Sequence, residues 1–136
     1  VSTAAQLMWD RDCGSIPVVN DEGRLVGILT DRDVCMAAFT TGSRLTEIGV
    51  ADVMAQHVVC CDAEDSLEAA EHLMRDRQIG RLVVVDRQGA PVGVLSLGDI
   101  ARYALSSQSR DIIEHQVVTT LAAIRSPRRR ITRPPL

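Results

Sequence analysis

The sequence contains no lysine, and only 2% of its residues are aromatic. All 15 basic residues are arginines, which we interpret as a compositional bias of the genome and not as part of a mechanism. No apolar run approaches the roughly 18 residues that a membrane helix needs, so we expect no membrane contact. The arginine-rich stretch 125–136 has no aromatic residue on which the bases of a nucleic acid could stack.

Motifs of enzymes are also missing. The chain has no P-loop, no G-x-G-x-x-G, no G-x-S-x-G and no H-E-x-x-H. Its three histidines, His57, His72 and His115, are scattered along the chain. We therefore assign no catalytic residue and predict that the protein is not an enzyme.

The four cysteines are Cys13, Cys35, Cys60 and Cys61, and no C-x-x-C occurs. This pattern favours buried free thiols in a reducing cytoplasm over a disulfide framework. His57 lies close to Cys60 and Cys61, so zinc remains an alternative, but the spacing is not that of a zinc finger. No metal ligand is assigned.

Length and composition indicate a globular chain. It has 136 residues, of which 46% are hydrophobic and 24% charged, enough for one domain or two half-size units that share a core. The net charge is −3, yet residues 125–136 carry five arginines and no acid. The body of the chain is therefore acidic, which argues against nucleic acid as a partner.

The chain repeats itself at an offset of 66 residues. Residues 13–39 align without a gap on residues 79–105, and the register continues upstream. Identical pairs include Gly14/Gly80, Val18/Val84, Val19/Val85, Gly23/Gly89, Val26/Val92, Gly27/Gly93, Leu29/Leu95, Asp33/Asp99 and Ala38/Ala104. A gap-free match of this length indicates a tandem duplication.

Patterning predicts a unit of strand–helix–strand–strand–helix. Helices are predicted at 2–12, 31–40, 66–78 and 97–106, the third capped by Ser66, and strands at 16–20, 25–29, 57–61, 82–86 and 91–95. The strand 57–61 leads the second repeat, whereas the first repeat is expected to be truncated before its leading strand. Residues 111–124 predict a final amphipathic helix with a stripe of Ile113, Val117, Leu121 and Ile124.

Each repeat places a hydroxyl residue three positions before an aspartate at the start of a helix. Thr30 with Asp33, and Ser96 with Asp99, fit a capping box. The same geometry suits a ligand, because a helix N-terminus attracts phosphate and a carboxylate accepts hydrogen bonds from a ribose diol. The residues alone allow two interpretations of each pair. It is either a helix cap only, or a helix cap that also binds a ligand.

The stretches "IPVVNDEGRLVGILTDRDV" and "RLVVVDRQGAPVGVLSLGDI" resemble the cystathionine-β-synthase (CBS) domain family. Two such motifs in tandem form a Bateman module. The resemblance implies an α/β (α+β) fold with two motifs related by a pseudo-twofold axis. It places a first motif at 1–40, a linker at 41–51, a second motif at 52–106, a C-terminal helix at 107–124 and a flexible basic tail at 125–136.

The resemblance also implies ligand-binding residues. Thr30 and Ser96 would contact phosphate, and Asp33 and Asp99 would contact ribose. An adenine slot is implied at Ile16 and Pro17 in the first repeat, and at Leu82, Val83, Val58 and Val59 in the second. Arg32 and Arg81, each present in one repeat only, are candidate phosphate ligands. Because its leading strand is present, we expect the second site to be the more complete.

The sequence thus predicts a cytoplasmic regulatory module that binds AMP, ADP, ATP or S-adenosylmethionine between its two motifs. Occupancy would be transmitted through a conformational or dimer change. The expected partners are a second copy of the chain and an effector protein. The alternative is a CBS pair that binds zinc or a protein partner and no nucleotide.

Overall fold

The computed structural model describes residues 1–106 and 110–126, which form six helices and two small sheets. This confirms the predicted mixed α/β class. In chain order the elements are α1 Ser2–Asp10, β1 Ser15–Val19, β2 Leu25–Thr30, α2 Asp31–Thr41, α3 Val50–Val53, β3 Cys60–Asp62, α4 Leu67–Arg77, β4 Arg81–Val85, β5 Pro91–Ser96, α5 Leu97–Ser106 and α6 Arg110–Arg125. Residues 127–136, most of the predicted flexible tail, lie outside the described residues.

The chain divides into two compact units. One contains Val1–Ala63 together with Val83–Val94, and the other begins at Glu64–Leu82 and continues from Leu95. The units do not follow the sequence repeats, because the second repeat contributes residues to both. The predicted domain boundaries therefore remain a prediction.

In the first unit, β1 and β2 form an antiparallel pair whose register runs from Ser15↔Thr30 to Val18↔Gly27. The turn between them begins at Asn20, whose side-chain oxygen accepts hydrogen bonds from the backbone N–H groups of Glu22 and Arg24. Gly23 completes this turn with φ +77°, a conformation that glycine adopts without steric cost.

The turn between β4 and β5 has the same construction. Asp86 accepts from the N–H groups of Gln88 and Ala90 at 2.9 Å each, and Gly89 has φ +81°. A side chain that binds the backbone two and four residues ahead fixes a tight turn. The duplication seen in the sequence is therefore present in the hydrogen bonds as well.

The leading strand of the second repeat is shorter than predicted. The sequence predicts a strand over 57–61, whereas β3 covers only Cys60–Asp62 and pairs in parallel with Val83, Val84 and Val85 of β4. Val58 and Val59 precede it, and the N–H of Val58 donates to Gln56 O at 3.2 Å. This local turn takes the backbone out of the extended conformation that pairing with β4 requires.

The sheet of the first repeat has two strands among the described residues. The outer edge of β2 is covered by the segment that follows α3: Ile28 and Ala55 exchange two backbone hydrogen bonds of 3.0 and 2.9 Å. Next to this bridge, Met54 lies against Gly27. A β-carbon added at Gly27 would meet Met54 Sδ, Met54 Cγ at 2.9 Å and Ala55 O at 3.2 Å.

In the second unit, α6 packs on both α4 and α5. Thr120 on α6 is fully buried and its hydroxyl donates to Glu71 Oε1 on α4 at 2.8 Å. Glu71 is itself 4% exposed. A second hydrogen bond joins Gln78 Nε2, at the end of α4, to Ala123 O at 3.1 Å. The buried Thr120–Glu71 pair holds the helix at one position, because a shift would leave a buried polar group unpaired, and the half-buried bond from Gln78 adds to it.

The remaining core of each unit is aliphatic. Its buried side chains are Met8, Leu29, Ala37, Ile48, Cys61 and Val83 in the first unit, and Ala70, Met74, Leu82, Ile100 and Ala104 in the second. Ser66 caps α4 as predicted, since its hydroxyl accepts from the N–H of Ala69 at 3.1 Å. Among the described residues, no helix has the length and apolar character needed to span a bilayer.

The two copies of one glycine predict opposite responses to the same substitution. We expect Gly27→Ala to cost about 1–3 kcal/mol of the free energy of unfolding, because its methyl group overlaps Met54 and a backbone oxygen. Gly93→Ala, the matched control, meets no atom within 4 Å and should be neutral or slightly stabilising. Urea unfolding measures both, and equal effects would contradict this account.

The buried hydrogen bond on α6 predicts a second stability difference. Thr120→Val removes the donor to Glu71 and leaves a buried carboxyl oxygen unsatisfied, at a cost of about 1–3 kcal/mol. Thr119→Val is the control, since Thr119 is exposed and its hydroxyl bonds only to His115 O within the same helix. Urea unfolding measures both variants. If they are equally stable, the contact with Glu71 contributes nothing to the free energy of unfolding.

Candidate functional site

Both hydroxyl–aspartate pairs form reciprocal caps. In the first repeat, Asp33 N–H donates to Thr30 Oγ1 at 3.2 Å, while Thr30 N–H and Oγ1–H donate to Asp33 Oδ2 at 2.9 and 2.6 Å. In the second repeat, the corresponding distances between Ser96 and Asp99 are 3.2, 2.8 and 2.6 Å. The capping interpretation is therefore confirmed, and a ligand-binding role for these residues remains a prediction.

The preceding turn is also shared. The first helical amide in each repeat donates to the carbonyl of the glycine before the adjacent strand: Asp31 N–H to Gly14 O at 3.2 Å, and Leu97 N–H to Gly80 O at 3.0 Å. Each helix start is thus fixed from two sides, by its own aspartate and by the neighbouring strand. In α5 these contacts satisfy the amides of Leu97 and Asp99, and the described residues supply no acceptor for the Gly98 N–H between them.

The second oxygen of the aspartate differs between the copies. Asp99 Oδ1 accepts a hydrogen bond from Arg102 Nη2. Met36 occupies the position that corresponds to Arg102 in the first repeat, and no described residue hydrogen-bonds Asp33 Oδ1. A ribose diol could therefore reach Asp33 directly, whereas at Asp99 it would have to displace Arg102. For this one contact, the first repeat is the more accessible.

A cavity of about 450 Å³ lies at the start of α5 within the second unit. This volume lies within the range typical of small-molecule sites. Three elements form its wall: the residues that enter β4, the first turns of α5 and the last turns of α6. The lining residues are Gly80, Arg81, Ser96, Leu97, Gly98, Ala101, Val117, Leu121, Ile124 and Arg125.

Of the predicted second-site residues, the cavity brings together Ser96 and Arg81. Asp99 is not among the lining residues. Leu82 and Val83 have no exposed surface and belong to the core, so they offer no free surface to an adenine in this conformation. Val58 and Val59 are half-buried in the segment before β3. The predicted adenine slot at these four residues stays a prediction.

The predicted residues of the first repeat lie around the end of the β1–β2 hairpin. Ile16 and Pro17 are half-buried on β1 and pair with Leu29 and Ile28. Thr30 ends β2, and Arg32 and Asp33 lie in the first turn of α2. Arg32 is exposed and is not part of the cavity next to Ser96. The five residues lie at the same end of the hairpin. They are therefore close enough to form one site, and that site remains a prediction.

No sequence motif assigns α6 to a binding site. The apolar stripe of Val117, Leu121 and Ile124 is visible in the sequence, whereas the cavity that these residues line is not. Arg125, in the last turn of α6, lines the cavity as well. The side chain of Ile113, the fourth member of the predicted stripe, lies outside the described part of the chain.

The prediction of buried thiols is wrong for three of the four cysteines. Cys13, Cys35 and Cys60 are exposed, only Cys61 is buried, and all four are free thiols. The lack of a disulfide pattern suggested buried thiols, but Cys13 follows the end of α1 and Cys35 is an exposed residue of α2. The part of the chain that the structure describes holds no group of three or more His, Cys, Asp or Glu side chains placed to bind a metal ion.

The cap sets the electrostatics of Asp99. The Ser96 hydroxyl, then the Ser96 N–H and more weakly Arg102, hold the pKa of the Asp99 carboxyl below its ordinary value. A lowered folded-state pKa means that the ionised form is favoured by folding. The resulting stabilisation is fully present above the unfolded-state pKa of about 3.9. It is lost as the pH falls through the lower folded-state value.

We expect Ser96→Ala to raise the pKa of Asp99 towards its ordinary value, because it removes the largest cause of the shift. Arg102→Gln should raise the pKa by less, since the exposed arginine contributes less than the hydroxyl. NMR titration of the side-chain carboxyl carbon measures the pKa in both variants. A larger increase in Arg102→Gln would show that the ion pair, and not the cap, controls this carboxylate.

Comparison with known proteins places the chain in a family. The CBS domain model matches residues 1–39 and 50–106, which is more than half of the chain. The CBS domain-containing protein YhcV of Bacillus subtilis is 39% identical over 109 residues, covering 80% of this chain and 76% of YhcV. The protein MJ1404 of Methanocaldococcus jannaschii is 40% identical over 95 residues, which are 70% of this chain but only 22% of MJ1404.

Solved structures of CBS-domain proteins share the fold. CBSX2 in complex with AMP has a TM-score of 0.66 and 29% identity, with 77% of this chain and 81% of that chain covered. Hypoxic Response Protein I with two coordinated zinc ions has a TM-score of 0.66 and 29% identity, with coverage of 75% and 82%.

The CBS domain pair of MJ0100, in complex with 5-methylthioadenosine and S-adenosyl-L-methionine, has a TM-score of 0.68 and covers 77% and 81% of the two chains. At 23% identity this likeness concerns the fold alone. The duplicated turns and caps, the two matched segments of sequence and the shared fold lead to one conclusion: the chain belongs to the CBS-domain family and carries its motif in tandem.

Proposed function

We propose that this protein is a regulatory module that binds an adenosine-containing ligand and transmits its occupancy as a conformational change. The observation that carries the proposal is the cavity at the start of α5, which joins the Ser96 cap to Arg81. The Gly98 N–H, which has no acceptor among the described residues, and the Arg81 guanidinium are donors suited to a phosphate group, and the Ser96 hydroxyl becomes a third donor when it releases Asp99. The complex of the similar protein CBSX2 with AMP supports a nucleotide as the ligand.

The apolar part of the wall suits the rest of such a ligand. Leu97, Ala101, Val117, Leu121 and Ile124 line the cavity, and purine rings bind against aliphatic surfaces of this kind. This assigns the adenine to the α5–α6 side of the cavity, in place of the predicted slot at Leu82 and Val83. Thr30, Asp33, Arg32, Ile16 and Pro17 form the proposed second site, in the first repeat.

We assign a regulatory role because tandem CBS domains are generally regulatory modules and not enzymes. A homodimer, an effector protein and a cytoplasmic location are further parts of the proposal. Large apolar side chains exposed on α1 and α2 support the pairing of two copies: Trp9 is 84% and Phe39 81% exposed. Ligand binding that favours one arrangement of such a dimer would be a population shift.

Zinc binding is the second candidate. It is favoured by one observation, the likeness to Hypoxic Response Protein I with its two zinc ions. The exposed His57 and Cys60 are the residues of this chain most suited to such a role. Two ligands do not complete a zinc site, so further ligands would have to come from a second copy or from outside the described residues.

Calorimetric titration with AMP, ADP, ATP, S-adenosylmethionine and zinc tests the proposal. We expect an adenine nucleotide to bind and to raise the free energy of unfolding by about 2.7 kcal/mol at a hundredfold excess over Kd. Ser96→Ala should weaken this binding. Ser66→Ala is the matched control, because it also removes a serine helix cap but lies outside the cavity wall.

The outcomes separate the two candidate functions. Absence of binding by all four adenosine compounds would overturn the nucleotide proposal, and binding of zinc alone would favour the second candidate. If Ser66→Ala weakened nucleotide binding as much as Ser96→Ala, the effect would come from lost stability and the assigned cavity would be wrong.

A further inference from the structure

The cavity next to Ser96 is closed on one side by α6. Four of the ten described lining residues belong to this helix: Val117, Leu121, Ile124 and Arg125. The motif predicted from the sequence repeat ends at residue 106, so this wall is supplied by a segment outside it. A ligand in the cavity would contact the CBS motif and α6 together.

The position of α6 is fixed by residues that only the second repeat has. Thr120 and Ala123 on α6 bond to Glu71 and Gln78. The positions that correspond to Glu71 and Gln78 in the first repeat are Ala5 and Asp12. Alanine cannot accept the Thr120 hydrogen bond, so the first repeat lacks that docking contact. The second repeat therefore differs from the first where α6 packs.

The charged groups among the described lining residues all have the same sign. They are Arg81 and Arg125, and none of the described lining residues carries a carboxylate. Neither arginine forms an ion pair with a described residue. Asp99 is the carboxylate next to Gly98 along the chain, and its charge is already balanced by Arg102. Two guanidinium groups that pair with no carboxylate in the described part of the chain thus border one cavity at the N-terminus of α5.

Such a wall discriminates between adenosine ligands by charge. The phosphate groups of AMP, ADP and ATP accept charge-assisted hydrogen bonds from guanidinium groups. S-adenosylmethionine has no phosphate, and its sulfonium and ammonium groups outweigh its one carboxylate. Its net charge is therefore positive, and a wall with two arginines favours it less than a phosphate anion. The adenosine part of both ligands is the same, so the difference in affinity comes from this end of the molecule.

We propose that Arg81 and Arg125 together form a phosphate site that selects phosphorylated adenosine ligands over S-adenosylmethionine, and that ligand binding holds α6 in place through Arg125. The choice of an adenosine ligand rests on the function proposed above. The phosphate site itself rests on the cavity and its two arginines. Because Arg125 is the last residue of α6, a phosphate bound to it would hold this end of the helix in addition to the hydrogen bond from Gln78 to Ala123.

Calorimetry on the full chain tests the selectivity. We expect AMP to bind at least tenfold more tightly than S-adenosylmethionine. Arg125→Gln and Arg81→Gln should each weaken AMP binding about tenfold or more while leaving S-adenosylmethionine binding unchanged or improved. Arg24→Gln is the matched control, since this exposed arginine pairs with Glu22 and is not among the lining residues of the cavity.

Hydrogen exchange tests the role of α6. Bound AMP should slow amide exchange over residues 117–125 in the unsubstituted protein and in Arg24→Gln. The same protection should be lost in Arg125→Gln even at saturating AMP. Protection that persists in Arg125→Gln would show that α6 responds to the ligand without this arginine and would overturn that part of the proposal.

Tripolyphosphate, which has no adenosine, separates this inference from the proposed function. If adenosine compounds fail to bind but tripolyphosphate binds and is weakened by Arg125→Gln, the phosphate site stands and the nucleotide function fails. If AMP binds equally to Arg125→Gln and Arg24→Gln, or no more tightly than S-adenosylmethionine, the phosphate site is wrong while the nucleotide function stands. If neither nucleotides nor tripolyphosphate bind, both are overturned.

Discussion

The reciprocal hydrogen bonds between a hydroxyl residue and an aspartate three positions later determine how each repeat turns from strand into helix. In both copies, one carboxylate oxygen accepts from the N–H and the hydroxyl of the capping residue, and the hydroxyl accepts from the aspartate N–H. The helix cannot start one residue earlier or later without breaking all three. The hairpin, the helix and the cavity beside Ser96 depend on that fixed start.

The two copies share this turn and differ in what surrounds it. Met36 in the first repeat leaves one oxygen of Asp33 open, whereas Arg102 occupies the same oxygen of Asp99 in the second. The second repeat instead has Arg81, where the first has the buried Ser15, and it has α6 beside it. Duplication thus produced two equal scaffolds, and the substitutions around them gave the two helix starts different electrostatic surroundings.

Features that depend on neighbouring residues could be predicted from the sequence. The caps at Thr30 and Ser96, the cap at Ser66 and the turns at Gly23 and Gly89 each involve residues within a few positions, so the pattern contains the whole interaction. Features that depend on distant partners could not. The length of β3 depends on pairing with β4, and the docking of α6 depends on Glu71, which is 49 residues from Thr120.

Side-chain exposure was predicted less well for the same reason. A free cysteine is most often buried, but its burial depends on how its segment packs against distant parts of the chain, and three of the four cysteines are exposed. The site was predicted in part. Ser96 and Arg81 follow from the motif and line the cavity, whereas Arg125 carries no motif and becomes visible only through the packing of α6.

Gly27 and Gly93 show how far identity between the repeats can be interpreted. The segment at Met54 and Ala55 leaves no room for a side chain at Gly27, while the space around Gly93 is open. Packing therefore requires glycine at position 27. At position 93 packing does not require it, and glycine is there because both repeats descend from one ancestral motif. Selection for packing therefore acts on Gly27 only. We expect position 93 to change faster than position 27 as such proteins evolve.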